Sequence, residues 1–221
     1  WSQRFGDRFG DYTSEGGYGL TTDAWGNVFV SGSFTGTVDF GGGPLVSPDG
    51  PPWDPHPSNA FVAGFSPEGT HLWSRGFGDY EDDYAYSVAA DANGNVLVTG
   101  SFHGIVDFGG GALTSAGISD IFVAKYDPTG IHLWSQRFGG TDDDIGYSIA
   151  SDEFDNLFVT GCFYNTADFG GGSLVCAGGS DIFVARYNPA GVHLWSQRFG
   201  GTGGDIAHSI ATDGSNNVLL T

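Results

Sequence analysis

The sequence predicts an all-β fold assembled from copies of one antiparallel four-strand unit, and three observations carry that expectation. The string HLWSQRFGG occupies residues 132–140 and returns unchanged at 193–201, with a shorter form, HLWSRGFG, from His71 and WSQRFG at the first residue. Composition is the second: 39 glycines, 15% aromatic residues and few apolar runs at helical spacing suit short strands joined by tight turns. Turn chemistry is the third. Residues 66–69, 127–130 and 188–191 read SPEG, DPTG and NPAG, where proline presets φ and glycine supplies a positive one.

Residues 147–199 show the unit in order. YSIASD (147–152) alternates as a first strand should. DEFDN (152–156) turns the chain, and NLFVTGCF (156–163) forms the second strand. A glycine-rich insert containing DFGGG (168–172) leads to the third strand, DIFVARY (181–187). NPAG turns the chain again into the fourth, VHLWSQRF (192–199).

Trp73, Trp134 and Trp195 are spaced by 61 residues, whereas Trp1 and Trp73 are 72 apart. Of the 11 extra residues, four come from a duplicated RFGD (Arg4–Asp7, Arg8–Asp11) and seven from an insertion beginning at Pro44. A period of this size implies units that stack side by side and bury a shared core. Four antiparallel strands per unit make a propeller blade. The strings LWS, RFGG, YSIA, a turn ending in Asn, FVTG, VDFGGG and SDIFVAKYDPTG resemble the bacterial SBBP β-propeller repeat, named for seven-bladed propellers. The resemblance covers nearly the whole chain. It implies a secreted or cell-surface bacterial protein and brings no catalytic residues with it.

The expected division is one propeller region over 1–221, with whole blades at 18–77, 86–138 and 147–199 and partial strands at 1–5 and 208–221. A seven-bladed ring would need about 430 residues at this period, so a fragment of a larger ring is favoured. A compact four-bladed closure and a ring shared between two chains are the alternatives, and unpaired terminal strands could support self-association. The chain has no Met and no signal-like segment, which suits a mature product or a piece of a longer chain.

Twenty-six acids against seven bases give a net charge of −19, which repels phosphate backbones and anionic lipid heads, so nucleic acid is not an expected partner. No apolar stretch is long enough for a membrane helix, and membrane insertion is not expected. Most of the acids recur in register. Glu15, Asp83, Asp144 and Asp205 precede each first strand, and Asp39, Asp107 and Asp168 open each DFGGG; both sets read as caps of loop N–H groups. Asp23, Asp91, Asp152 and Asp213, with Asn27, Asn95, Asn156 and Asn217, read as hairpin residues. The tryptophans read as packing between blades, and His71, His132 and His193 as strand-surface residues.

In a propeller the fourth-to-first and second-to-third connections emerge on one face. The acidic segments 78–83 and 139–144, the DFGGG inserts and the insertion holding six of the nine prolines should therefore share a face. Asp82, Asp83, Asp142, Asp143 and Asp144 are the candidate Ca²⁺ donors there, weighed against a solvated acidic rim, since no segment follows an EF-hand pattern. Trp53, with Asp54 and His56, is the candidate recognition element for a glycan or a protein surface, weighed against a tolerated spacer. Cys162 aligns with Ser33 and Ser101, and Cys176 with Ser47 and Ser115, so one unit alone changed both serines. That suggests a disulfide in an oxidising compartment, stabilising by about 3 kcal/mol, against the alternative of two free thiols.

The expected function is a non-enzymatic extracellular module for binding or adhesion to a protein or glycan at the cell surface. A structural spacer in a large surface protein is the first alternative. A hydrolase or lyase using an acid pair on the same face is the second, although no G-x-S-x-G, no Cys/His pair at a suggestive spacing and no phosphate-cradling loop is present.

Overall fold

The computed structural model describes residues 1–6, 14–48, 50, 56–215 and 217–221. Every element is a β-strand, and no helix occurs among the described residues. The first unit comprises β1 (Glu15–Thr22), β2 (Val28–Phe34), the short β3 (Thr37–Asp39) and β4 (Pro44–Val46), β5 (Asn59–Phe65) and β6 (His71–Phe77). The second repeats it with β7 (Tyr84–Ala90), β8 (Val96–Phe102), β9 (Ile105–Asp107), β10 (Ala112–Thr114), β11 (Asp120–Tyr126) and β12 (His132–Gly140). In the third, β13 (Asp144–Ser151) is followed by β14 (Leu157–Asp168), β15 (Ser173–Tyr187) and β16 (His193–Phe199), the long middle strands absorbing the short hairpin. β17 (Ile210–Thr212) and β18 (Val218–Leu220) open a fourth.

Pairing is antiparallel within every sheet, in the order β1-β2-β5-β6 for the first unit. The second and third units repeat this order but join into one eight-stranded sheet, because Gly139 and Gly140 at the end of β12 pair with Asp168 and Ala167 of β14. No sheet closes on itself among the described residues.

Units meet face to face. The first strands are neighbours in series, β1 beside β7, β7 beside β13 and β13 beside β17. The second and third steps are pinned by hydroxyl bridges: Ser151 Oγ donates to Ala90 O at 3.0 Å, and Thr212 Oγ1 to Ser151 O at 2.8 Å. The core is correspondingly divided into clusters between units. Phe29, Val62 and Trp73 of the first unit pack with Val88, Val98, Phe122 and Tyr126 of the second. Leu97 and Val123 of the second pack with Ile149, Leu157, Phe183 and Tyr187 of the third. This explains why β5, β8 and β11 are buried at every residue, where a sheet with one wet face would alternate.

The tryptophans hold these junctions, as the repeat led us to expect. The Nε1 of Trp1, Trp73 and Trp134 donates to the carbonyl of Pro67, Pro128 and Pro189 respectively, in the turn of the following unit. The histidines are not plain surface residues. His71, His132 and His193 lie under the glycines of DFGGG, and a Cβ at Gly42, Gly110 or Gly171 would overlap the imidazole.

Candidate binding face

The loops at the start of β7 and β13 are built on the buried carboxylates of Asp83 and Asp144. Asp83 Oδ1 accepts from His103 N at 3.0 Å and Oδ2 from Asp79 N at 3.2 Å, tying the fourth-to-first connection to the second-to-third. Asp144 repeats the arrangement with Tyr164 N and Gly140 N, and Asp205 Oδ2 accepts from Gly201 N. The capping role expected of Asp83, Asp144 and Asp205 is what the geometry shows, whereas Glu15 at the equivalent place in the first unit is exposed. Asp39, Asp107 and Asp168 likewise each accept from two glycine N–H groups of DFGGG. The paired Asp and Asn of the opposite hairpins are bonded to each other and to the turn backbone.

Burial pushes the Asp83 carboxyl up to about 8, with the charges of Asp79 and Asp82 adding to it and backbone N–H groups opposing. Burial raises Asp144 to about 7, again opposed by N–H donors and assisted by Asp120 and Asp142. Asp120 lies against Asp144 across Gly139: a Cβ there would overlap Asp120 Oδ1 and stand 2.7 Å from Asp144 Oδ2. Asp181 and Asp205 flank Gly200 in the same way. Asp120 and Asp181 each accept from an arginine, Arg137 and Arg198. In the first unit both partners change together, to Asn59 and Gly76.

The five acids singled out for Ca²⁺ are dispersed among these tasks. Asp82 Oδ1 accepts from Ser58 N, Asp142 Oδ2 from Asn165 Nδ2 and Asp143 Oδ1 from Ser119 Oγ, while Asp83 and Asp144 cap their loops. Among the described residues no three His, Cys, Asp or Glu side chains come together as a metal-binding group. Trp53 and Asp54 lie outside the described residues. His56 is exposed, next to Pro57, whose carbonyl accepts from Ser47 Oγ at 2.9 Å.

The expected Cys162–Cys176 disulfide is corrected: both are free thiols. Successive strand residues point to opposite faces. Cys162 shares a face with its partner Ile182, next to Tyr147 and Asp144, and burial raises its thiol to about 12. Cys176 is hydrogen-bonded to Asp181, whose cross-strand partner is Phe163, so its sulfur belongs to the other face of the sheet.

A column of aromatic residues that the sequence reading passed over runs along this end of the first strands. In each unit the ladder between the first and second strands slips, between Gly17 and Gly19, Tyr84 and Ser87, and Gly146 and Ser148. Tyr18, Tyr86 and Tyr147 fall in these slips. Such a bulge re-aims a side chain out of the regular alternation. The opposing glycine of the second strand permits it, since a Cβ at Gly32, Gly100 or Gly161 would overlap a carbonyl oxygen of the bulged strand. The rings follow one another from unit to unit, Tyr18 to Tyr86 at 5.6 Å, Tyr86 to Tyr147 at 5.3 Å and Tyr147 to His208 at 5.4 Å. Tyr84 stacks on Tyr86 at 5.5 Å and is itself hydrogen-bonded to Asp82. The signal in the sequence was an aromatic residue at the same place in every copy, facing in the first three the glycine of SGSF, TGSF or TGCF.

Residues 72–101, 133–161 and 194–221 match the SBBP beta-propeller repeat, so the chain carries three such repeats, each running from a fourth strand into the second strand of the next unit. An uncharacterized WD repeat-containing protein of Acanthamoeba polyphaga mimivirus is 28% identical over 189 residues, covering 72% of this chain and 14% of its own length. The regulatory protein FlaEY of Caulobacter vibrioides is 26% identical over 211 residues, covering 90% of this chain and 21% of its own. This chain therefore spans a small part of the relatives it matches. A crystal structure of a protein of unknown function from Bacteroides caccae aligns over 93% of this chain and 53% of its own, at 12% identity and a TM-score of 0.46.

Proposed function

We propose that this chain, built on SBBP beta-propeller repeats, is a non-enzymatic interaction module whose four-stranded units stand radially as blades of a ring and receive a protein or glycan on the acidic, loop-rich face, outside the cell. One observation supports it above the others. The caps of DFGGG and the tryptophan bridges recur from unit to unit as scaffold, while the loops at the head of the first strands depart from copy to copy in sequence. The propeller repeats and the WD repeat-containing relative favour the same reading.

Site-specific crosslinking tests it. A photoreactive residue at Tyr80 or Glu81, on the acidic face, should capture a partner that the same residue at Asn93, on the opposite hairpins, does not. Equal capture from both positions, or none above background at Tyr80, would refute the assignment of the face.

A further inference from the structure

We propose that the aromatic column of Tyr18, Tyr86, Tyr147 and His208 is a receptor for the cationic side chains, lysine or arginine, of a partner polypeptide. This deepens the interaction reading and rests on it.

The column is built rather than incidental. Three of its members occupy bulges, each made possible by a glycine across the ladder, and that device costs regular pairing at the same place in three units. A side chain aimed out of a sheet at such a cost has to be explained by what it meets. Internal contacts account for only part of these rings: the Tyr18 hydroxyl bonds Ser33 Oγ at 3.1 Å and Tyr86 bonds Ser101, yet Tyr18 is 50% exposed, His208 is exposed, and Tyr86 and Tyr147 keep part of their surface.

Charge decides the kind of occupant. Lys125, Arg137, Arg186 and Arg198 all lie on third or fourth strands and are each ion-paired to an aspartate. Arg75, on β6, donates to Gly130 O and lies over the Tyr126 ring. The first strands β1, β7 and β13 hold no Lys or Arg, and the connections into β7 and β13 carry acids, Asp79, Glu81, Asp82, Asp142 and Asp143, with Glu15 at the head of β1; the two other bases of the chain, Arg4 and Arg8, precede β1. Asp82 reaches the column directly through Tyr84. Aromatic faces attract cations through their quadrupole, and nearby carboxylates add a field of the same sense. Burial holds the Tyr86 hydroxyl near 12, so its ring stays neutral and the cation would meet an uncharged phenol. A row of rings spaced between 5.3 and 5.6 Å, one per unit, suits an extended chain bearing several cations rather than one small ion.

The experiment uses the whole chain, with an octalysine peptide as probe, a glycine-serine peptide and an octaglutamate peptide as controls, and calorimetry as the readout. Octalysine alone should bind. Replacing Tyr86 and Tyr147 by leucine, which keeps apolar volume and removes the π face, should weaken that binding about tenfold, while replacement by phenylalanine should preserve it. Circular dichroism and the melting midpoint of the phenylalanine variant establish that the fold survives. Failure of octalysine to bind, or equal affinity in the leucine variant, overturns the proposal, the second result assigning the binding to the acidic rim alone. Capture from Tyr80 that persists in the leucine variant, together with such a failure, would leave the interaction reading standing and remove only the column.

Discussion

Trp73 Nε1 donates to Pro128 O at 3.1 Å, across the junction between the first two units, and the indole lies against the glycine two residues further on. Gly130 has φ +82, and a Cβ there would stand 2.6 Å from Trp73 Cδ2. Replacing Gly130 by Ala therefore meets backbone strain and overpacking together, and should destabilise by about 2–4 kcal/mol. Urea unfolding measures it; a change below about 0.5 kcal/mol would show that the indole can move aside.

The glycines over the histidines make a separable prediction. Gly110→Ala should cost about 1–3 kcal/mol, because its Cβ overlaps the His132 ring, and His132→Ala in the same molecule should recover part of that cost. A double-mutant cycle gives the coupling directly. Additive costs would mean that the loop and the imidazole do not share the space.

Stability should fall as pH rises from about 5 to about 8. Asp83 and Asp144 are pushed up to about 8 and about 7, from 3.8 in an unfolded chain, so the native state holds more protons across that window. Each added pH unit then favours the unfolded state. The depressed groups Asp107, Asp127, Asp152, Asp181 and Asp213 act in the other direction, and their contribution is lost only as the medium turns more acid than the usual carboxylate range. Asp83→Asn with Asp144→Asn should flatten the slope between pH 5 and 8 in chemical unfolding. An unchanged slope would place the protons elsewhere.

Unit one contains the control for the buried ion pairs. Arg137→Gly alone should destabilise by about 1–3 kcal/mol, because the buried Asp120 is left beside Asp144 without its arginine partner. Adding Asp120→Asn reproduces the Asn59 and Gly76 arrangement and should restore most of the loss. Thermal melts of the single and double variants decide it, and a double variant no more stable than the single one would break the equivalence of the units.

How much of this could be read from the sequence followed from how local each cause is. Turn chemistry acts over four residues, so SPEG, DPTG and NPAG located the hairpins, and the Asp and Asn of the opposite turns were recognisable as caps. The 61-residue recurrence of tryptophan pointed to the junctions because a large side chain repeated in register has to be buried by a neighbour. The tyrosine column was missed because a one-residue slip in pairing is invisible in a period-two pattern; only the glycine on the facing strand marks it. The disulfide failed for the same kind of reason. Alignment showed two serines changed together, but which side of the sheet each sulfur occupies depends on register through the hairpin between them.

The indole bridges all run one way, from the fourth strand of a unit to the turn of its successor. An injury to a turn is therefore felt upstream. Disturbing Gly191 should loosen the Trp134 edge of the second unit before it troubles anything nearer the C-terminus, so the array has a built-in polarity in how damage spreads.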